Sequence, residues 1–291
     1  MKIAQLMPGS GNAFYCENCL RDTSIVLELQ KQGHQSLVMP LYLPIESEHS
    51  QLDAPIFFGG INVYLQQKLS LFRKTPRWLD KLFDAPFLLK MAGKRSGMTQ
   101  ASELGDLTLS MLLGEKGNQS KEVDRVTKWL KESGKPDLVQ FSNALLLGMA
   151  HQIKEELNVP LLCLLQDEDI WLDAMPDPLR KKLWDTMSEK ANEIDAFISV
   201  SEYYKQQMVQ RLSIPPEKIH VAYTGIQTQK YKQSILPYDP PVIGYLERQC
   251  KEKGLEVLAK AYVILKKDDR FKNVKLRVAG GMTPGDEPFV N

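Results

Sequence analysis

Apolar residues in this chain fall in short runs that alternate with stretches of helical periodicity. Residues 3–7 are an apolar run. They are followed by Pro8-Gly9-Ser10-Gly11-Asn12, a helix-like stretch to residue 32, Gly33-His34, and a second apolar run over 36–39. The pattern predicts strand, loop, helix and strand. Gly33 stands where a helix closes on a left-handed residue, and two strands joined through a helix run parallel. The same rhythm returns later. Strands are expected over 138–141, 160–165, 196–200 and 219–223, separated by helices over 144–157, 178–194 and 202–212. Repeated strand and helix units predict an α/β fold with a doubly wound parallel sheet.

Residues 41–133 keep this rhythm less well. Ile61-Asn62-Val63-Tyr64-Leu65 alternates like a half-exposed strand, and residues 69–92 carry Leu, Phe, Trp78 and Met at helical spacing with basic residues between. Pro76 and Pro86 cut that stretch into short pieces, which favours a helical insertion, around 66–133, packing on its own sheet or covering a cleft. The other reading of its basic amphipathic part, 66–95, is peripheral contact with a membrane surface. Residues 114–121 read as a loop, and Val123, Val126, Trp129 and Leu130 as one face of the next helix. A linker over 229–241 carries Pro237, Pro240 and Pro241. Beyond it come a strand over 242–246, a polar loop 247–253, a helix over 255–267 and a strand over 274–279. The expected organisation is an amino-terminal domain over 1–228 and an incomplete second domain over 242–291, a single βαβ unit with too little chain to bury a core alone.

Composition narrows the function classes. Lys and Arg number 37 against 36 Asp and Glu, a formal net charge of +1, which leaves no basic footprint for nucleic acid. The longest apolar run, 159–165, is far short of the roughly 20 residues that cross a bilayer, and no cleavable leader is evident, so a cytoplasmic location is expected. Four cysteines in 291 residues do not make a disulfide framework.

Four clusters could carry chemistry. Gly9, Ser10, Gly11 and Asn12 lie between strand and helix, where backbone N–H groups and a helix dipole could meet a phosphate or a sugar hydroxyl; a plain tight turn is the alternative. Phe14 occupies the third glycine position of a dinucleotide fingerprint, so that motif is excluded. Cys16 and Cys19 form a C-x-x-C pair at a helix start, open to redox chemistry or to simple packing of small residues. A zinc site lacks paired ligands, because Cys163 and Cys250 stand alone and the histidines are scattered. His34 caps the Gly33 turn, and His151 and His220 read as surface or packing residues. Gln166-Asp167-Glu168-Asp169 closes the strand over 160–165, at the edge where open α/β sheets bind ligands, and is either a site or a helix cap with solvated charges. Arg248 and Lys253 share the loop after the strand over 242–246, a fork and a point charge suited to a diphosphate, or else a solvated loop.

Taken together, residues 243–248 (Ile-Gly-Tyr-Leu-Glu-Arg), 252–258 (Glu-Lys-Gly-Leu-Glu-Val-Leu) and Ala261-Tyr262 resemble the donor-side signature of family 4 glycosyltransferases, whose GT-B fold sets two Rossmann-like domains across a cleft. Gly33-His34, residues 197–202 (Phe-Ile-Ser-Val-Ser-Glu) and residues 218–226 (Lys-Ile-His-Val-Ala-Tyr-Thr-Gly-Ile) resemble that family's amino-terminal domain. The resemblance implies retaining, hexosyltransferase-like transfer from a nucleotide diphosphate sugar, without a cofactor or required metal, to a carbohydrate, lipid or small-molecule acceptor. Arg248 and Lys253 match the residues that hold the donor diphosphate, and Gly11 and Asn12 match the loop near phosphate and acceptor. Asp167 and Glu168 are the catalytic candidates, placed where the family often has a His. Glu247 replaces a usual Gly, and Thr224 and Gln227 stand in for an Asn and an Asp. The family's paired glutamates would lie past Asn291, so the chain reads as a truncated second Rossmann-like domain, inactive alone. A noncatalytic nucleotide- or sugar-binding module is the runner-up, and a C-x-x-C thiol-disulfide oxidoreductase the third reading.

Overall fold

The computed structural model describes residues 1–9, 17–42, 104–225, 239–282 and 286–290, with single positions at 63, 65–67, 72, 73, 75, 228 and 232. It divides into two units, Met1–Ile226 and Gln227–Asn291, described here one at a time.

The first unit is built on β1 (Lys2–Met7), β2 (Gln35–Pro40), β3 (Leu138–Phe141), β4 (Leu161–Leu165), β5 (Ala196–Ser199) and β6 (Ile219–Val221). They form one sheet in the order β2-β1-β3-β4-β5-β6, every pair parallel. The last five residues of β1 and four of the five in β4 are buried. A parallel sheet covered on both faces reads as continuous apolar runs rather than an alternation, and it was short apolar runs bounded by loops that located these strands. Leu6 and Met7, successive strand residues, point to opposite faces. Leu6 joins the main core with Phe141, Leu165, Phe197, Ile153, Leu183, Met187 and Met208, while Met7 packs with Cys19, Val26 and Val38. The chain leaves β1 toward β2 on one side and continues from β3 to β6 on the other. The order therefore reverses between β1 and β3, and the carboxyl ends of those two strands lie side by side. The Ser142 N–H donates to the Leu6 carbonyl at 2.9 Å and fixes that junction.

Seven helices of this unit matter for the site or the core: α1 (Glu17–Lys31), α2 (Gly105–Leu112), α3 (Ser120–Trp129), α4 (Ala150–Leu157), α5 (Glu168–Asp173), α6 (Leu179–Ala191) and α7 (Glu202–Leu212). After α1, Gly33 has φ +87°. Its N–H donates to the Gln30 carbonyl and the His34 N–H to the Leu29 carbonyl, both at 3.0 Å, a helix end that needs a residue without Cβ strain.

Several expected elements shift. Residues 63 and 65–67 are helical, not part of a strand; Val63 and Gln66 are buried there, and a short apolar alternation does not distinguish the two periods. The expected loop over 114–121 contains a 3₁₀ turn, Gly114–Lys116, and the start of α3. The expected helix over 144–157 opens as a 3₁₀ segment, Ala144–Met149, before α4. Most of the stretch 69–92 and most of the linker 229–241 lie outside the described residues. Among the described residues, no helix is long and apolar enough to cross a membrane.

The second unit pairs β7 (Val242–Leu246) with β8 (Lys275–Ala279) in parallel, with α8 (Leu255–Leu265) between them and α9 (Glu287–Val290) after. Cys250 and Val274 are its buried hydrophobic side chains among the described residues, whereas Leu246 is 83% and Val257 71% exposed. One βαβ unit has too little chain to close a core, which is the expected physics of its size.

Candidate functional site

In the first unit, two buried polar clusters tie together the loops at the carboxyl edge of the sheet. Arg21, on the first turns of α1, is 8% exposed. Its Nε donates to Asp22 Oδ1 (2.9 Å), Nη1 to Gln166 Oε1 (2.6 Å) and Nη2 to the Ser142 carbonyl (2.6 Å). One guanidinium thus joins α1 to the loops that follow β3 and β4. Asp22 is fully buried, and burial pushes its carboxyl above the usual range against the lowering pull of Arg21. Such a pair holds only because each charge has its partner; either one alone would be an uncompensated buried ion.

The second cluster centres on Glu168, 1% exposed at the start of α5. Its Oε1 accepts from the Ala144 N–H (2.9 Å) and its Oε2 from the Tyr204 hydroxyl (2.7 Å), while that hydroxyl accepts from the Glu168 N–H (2.9 Å). Burial raises the Glu168 carboxyl above its ordinary value, opposed by the bonds from Ala144 and Tyr204. Burial and the neighbouring Glu168 charge raise the Tyr204 phenol. This glutamate is fully engaged in protein contacts, so its geometry is that of a strut between the loops after β3 and β4 and helix α7.

Asp167 sits between these clusters. Gln166 on one side is held by Arg21, Glu168 on the other by Ala144 and Tyr204, and Asp167 itself has φ +65°, in the left-handed region that Asp enters more readily than most L-residues. Its side chain is half-buried, with the Gln166 amide 3.4 Å from Oδ2. The result is a preoriented carboxylate at the carboxyl edge of β4.

Gly9 is buried with φ +77°, at the end of β1 next to the sheet's reversal; Ser10, Gly11, Asn12 and Cys16 lie outside the described residues. Cys19, Cys163 and Cys250 are buried, and burial raises the Cys163 thiol well above its usual value. His151 is part-exposed against Glu193, Nδ1 to Oε1 3.1 Å, and His34 lies 3.5 Å from the amino terminus.

In the second unit, the loop after β7 is fastened at both ends. The Tyr245 hydroxyl lies 3.1 Å from the Arg248 carbonyl and 3.3 Å from the Lys253 carbonyl. One side chain from β7 therefore sets the span between the two cations. The Glu247 N–H donates to the Ala279 carbonyl (3.2 Å) and the Gln249 N–H to the Gly281 carbonyl (2.9 Å), zipping the loop to the end of β8. Gly280 makes that approach feasible: a Cβ there would stand 1.9 Å from the Glu247 carbonyl oxygen, and φ is +141°. Each cation has an acidic neighbour. Lys253 Nζ is 4.0 Å from Glu247 Oε2, and Arg248 presents Nε and Nη2 to the two oxygens of Asp286 at 3.0 and 3.1 Å.

The structure thus places Arg248 and Lys253 on one turn and Asp167 and Glu168 at one strand end, as the sequence suggested for each pair. Sequence reasoning missed Arg21, Asp22, Tyr204, Tyr245 and Asp286. Arg21 and Asp22 stand in a polar helix start (Glu17-Asn18-Cys19-Leu20-Arg21-Asp22-Thr23-Ser24) that offered no contrast to mark them, and Asp286, 38 residues from Arg248, carried no signal either.

Comparison with known proteins bears on these arrangements. Residues 114–230 match the family model described as Glycosyltransferase Family 4. Among solved structures, HepE of Anabaena in complex with UDP is similar over 100% of this chain and 64% of its own length, with 16% identity and a TM-score of 0.58. Its complex with UDP-glucose gives 99%, 63%, 16% and 0.58 in the same order. The apo form of the lipopolysaccharide outer core galactosyltransferase WaaB gives 97%, 68%, 14% and 0.50. No curated protein matches the sequence. The likenesses establish the fold as the Rossmann-like GT-B type, and this chain spans about 64% of the length of HepE.

Proposed function

From the premise that residues 114–230 are a Glycosyltransferase Family 4 segment, carried on the fold of HepE and WaaB, we propose that the protein is a glycosyltransferase using a nucleoside diphosphate sugar. HepE was solved with UDP and with UDP-glucose, which makes UDP-hexoses the first donors to test. The observation that carries the reading is the Tyr245 hydroxyl contacting the backbone of both Arg248 and Lys253. It holds a planar fork and a point charge on one short turn at the carboxyl edge of β7, where ligands of open parallel sheets bind.

In the proposed reaction the bond from the sugar anomeric carbon to the diphosphate oxygen breaks, and its electron pair leaves with the diphosphate. The acceptor hydroxyl oxygen forms the new bond to the anomeric carbon, and its proton passes to the departing diphosphate oxygen. Arg248 and Lys253 stabilise the departing charge, the effect on which such a transfer depends most. Transfer retains the anomeric configuration. Within the first unit, Asp167 is assigned to accept a hydrogen bond from an acceptor hydroxyl, its loop held in place by Arg21 through Gln166 and by Glu168 through Ala144. The segment Gly9, Ser10, Gly11 and Asn12, which follows β1 in the sequence, serves phosphate or acceptor.

Incubation of the full-length protein with labelled UDP-glucose and a panel of sugar, lipid and small-molecule acceptors, with the product anomer read by proton NMR, tests this. Transfer with retained configuration, lost in Arg248→Ala and kept in Lys251→Ala, supports the reading. Inverted product refutes the retaining step, and equal loss in both variants refutes the assignment of Arg248.

A further inference from the structure

We propose that Asp286 sets the donor affinity of this site by competing with the diphosphate for Arg248. The inference rests on Arg248 being a diphosphate ligand and goes further, because it assigns a role to a residue of opposite sign. Asp286 is part of no motif in the sequence. Its carboxylate nonetheless lies against the Nε and Nη2 edge of Arg248 in the two-point geometry that a guanidinium offers to carboxylate and phosphate alike. Its side chain is 12% exposed, against 40% for Arg248. The acid is therefore the more sheltered partner and solvent screens it less.

Two effects follow from one placement. The carboxylate occupies hydrogen-bond donors that a phosphate oxygen would use. Its negative charge also stands within a few ångströms of wherever a diphosphate meets that guanidinium, so it repels the ligand even if a different edge is used. Glu247 adds to this at Lys253, though at 4.0 Å the contact is looser. At the same time the pair holds Arg248 in one orientation. An asparagine at 286 separates these roles: its carbonyl oxygen still accepts from Arg248 and keeps the fork aimed, while the charge is gone.

The test is titration calorimetry of inorganic diphosphate and of UDP into the full chain, comparing wild type with Asp286→Asn, Arg248→Ala, and Glu287→Gln as a control for net charge. Circular dichroism checks that each variant is folded. Asp286→Asn is expected to tighten both ligands by about tenfold, and Glu287→Gln by less than about twofold, since an exposed charge is largely screened. If wild-type binding is too weak to read, binding that appears in Asp286→Asn alone is the same result, and no binding in either overturns the proposal. Unchanged or weaker binding in Asp286→Asn, with Arg248→Ala still harmful, overturns the role of Asp286 and leaves Arg248 as a ligand. Binding unaffected by Arg248→Ala overturns both.

Discussion

Replacing Tyr204 by Phe removes a single oxygen from the strut beneath the candidate site. That oxygen donates to Glu168 Oε2 at 2.7 Å and accepts from the Glu168 N–H at 2.9 Å. Without it, a buried N–H and one carboxylate oxygen lose their partners together, at about 1–3 kcal/mol each and more for the charged group. No cavity of consequence forms, because the ring stays. The sum is a loss of about 3–5 kcal/mol, large against a typical total stability of 5–15 kcal/mol. The assay is urea unfolding followed by tryptophan fluorescence. All four tryptophans (Trp78, Trp129, Trp171 and Trp184) belong to the first unit, so the signal reports on it alone. Trp171 lies on α5, three residues beyond Glu168, and its Nε1 donates to Thr108. The Tyr204 bond favours the ionised carboxylate. Its removal should therefore hurt more near pH 8 than near pH 5. A loss below about 1 kcal/mol, or one no larger at the higher pH, would refute the assignment of this hydroxyl as the partner of a buried Glu168.

Three further outcomes are expected. Burial raises the Glu168 carboxyl in the folded state. Above the unfolded value of 4.5 the unfolded chain therefore gives up this proton first, and stability falls with rising pH up to the folded value; Glu168→Gln should flatten that slope in pH-dependent urea melts. Arg21→Ala leaves Asp22 buried and unpaired and should cost about 3–5 kcal/mol in the same assay, with Arg21→Ala/Asp22→Ala recovering part of it. Gly280→Ala forces a Cβ onto the Glu247 carbonyl, so it should weaken inorganic diphosphate binding in calorimetry while leaving the tryptophan-detected unfolding midpoint unchanged.

How much was legible before the structure depends on what kind of physics wrote it. The strands β3 and β7 and the helix α7 fall where their hydrophobic pattern put them, since short apolar runs and helical spacing are local signals. Helix starts were less legible: the 3₁₀ segment Ala144–Met149 is capped locally by Asn143 at the Leu145 N–H, but also by Glu168, 24 positions away, at the Ala144 N–H. For the site, the positions of Arg248 and Lys253 could be read from their turn and the edge of β7. Their restraint by Tyr245 could not, because it depends on how the loop three to eight residues on folds back over the ring, nor could the pairing with Asp286, which is tertiary. Glu168 illustrates the converse. A cluster of acids at a strand end suggested chemistry, but the structure buries that member and engages both oxygens, leaving Asp167 and Asp169 as the carboxylates with solvent access.

The central claim is that a nucleoside diphosphate is held through its phosphates by Arg248 and Lys253. Phosphorus NMR of UDP titrated with the full chain reads those atoms directly. Both resonances should shift with wild type and with Lys251→Ala, and the shift should be lost with Arg248→Ala and Lys253→Ala, each removal weakening the contact by about 3 kcal/mol. Equal shifts with all four proteins, or a nucleotide whose phosphorus signals do not move while its uridine protons do, would contradict the account.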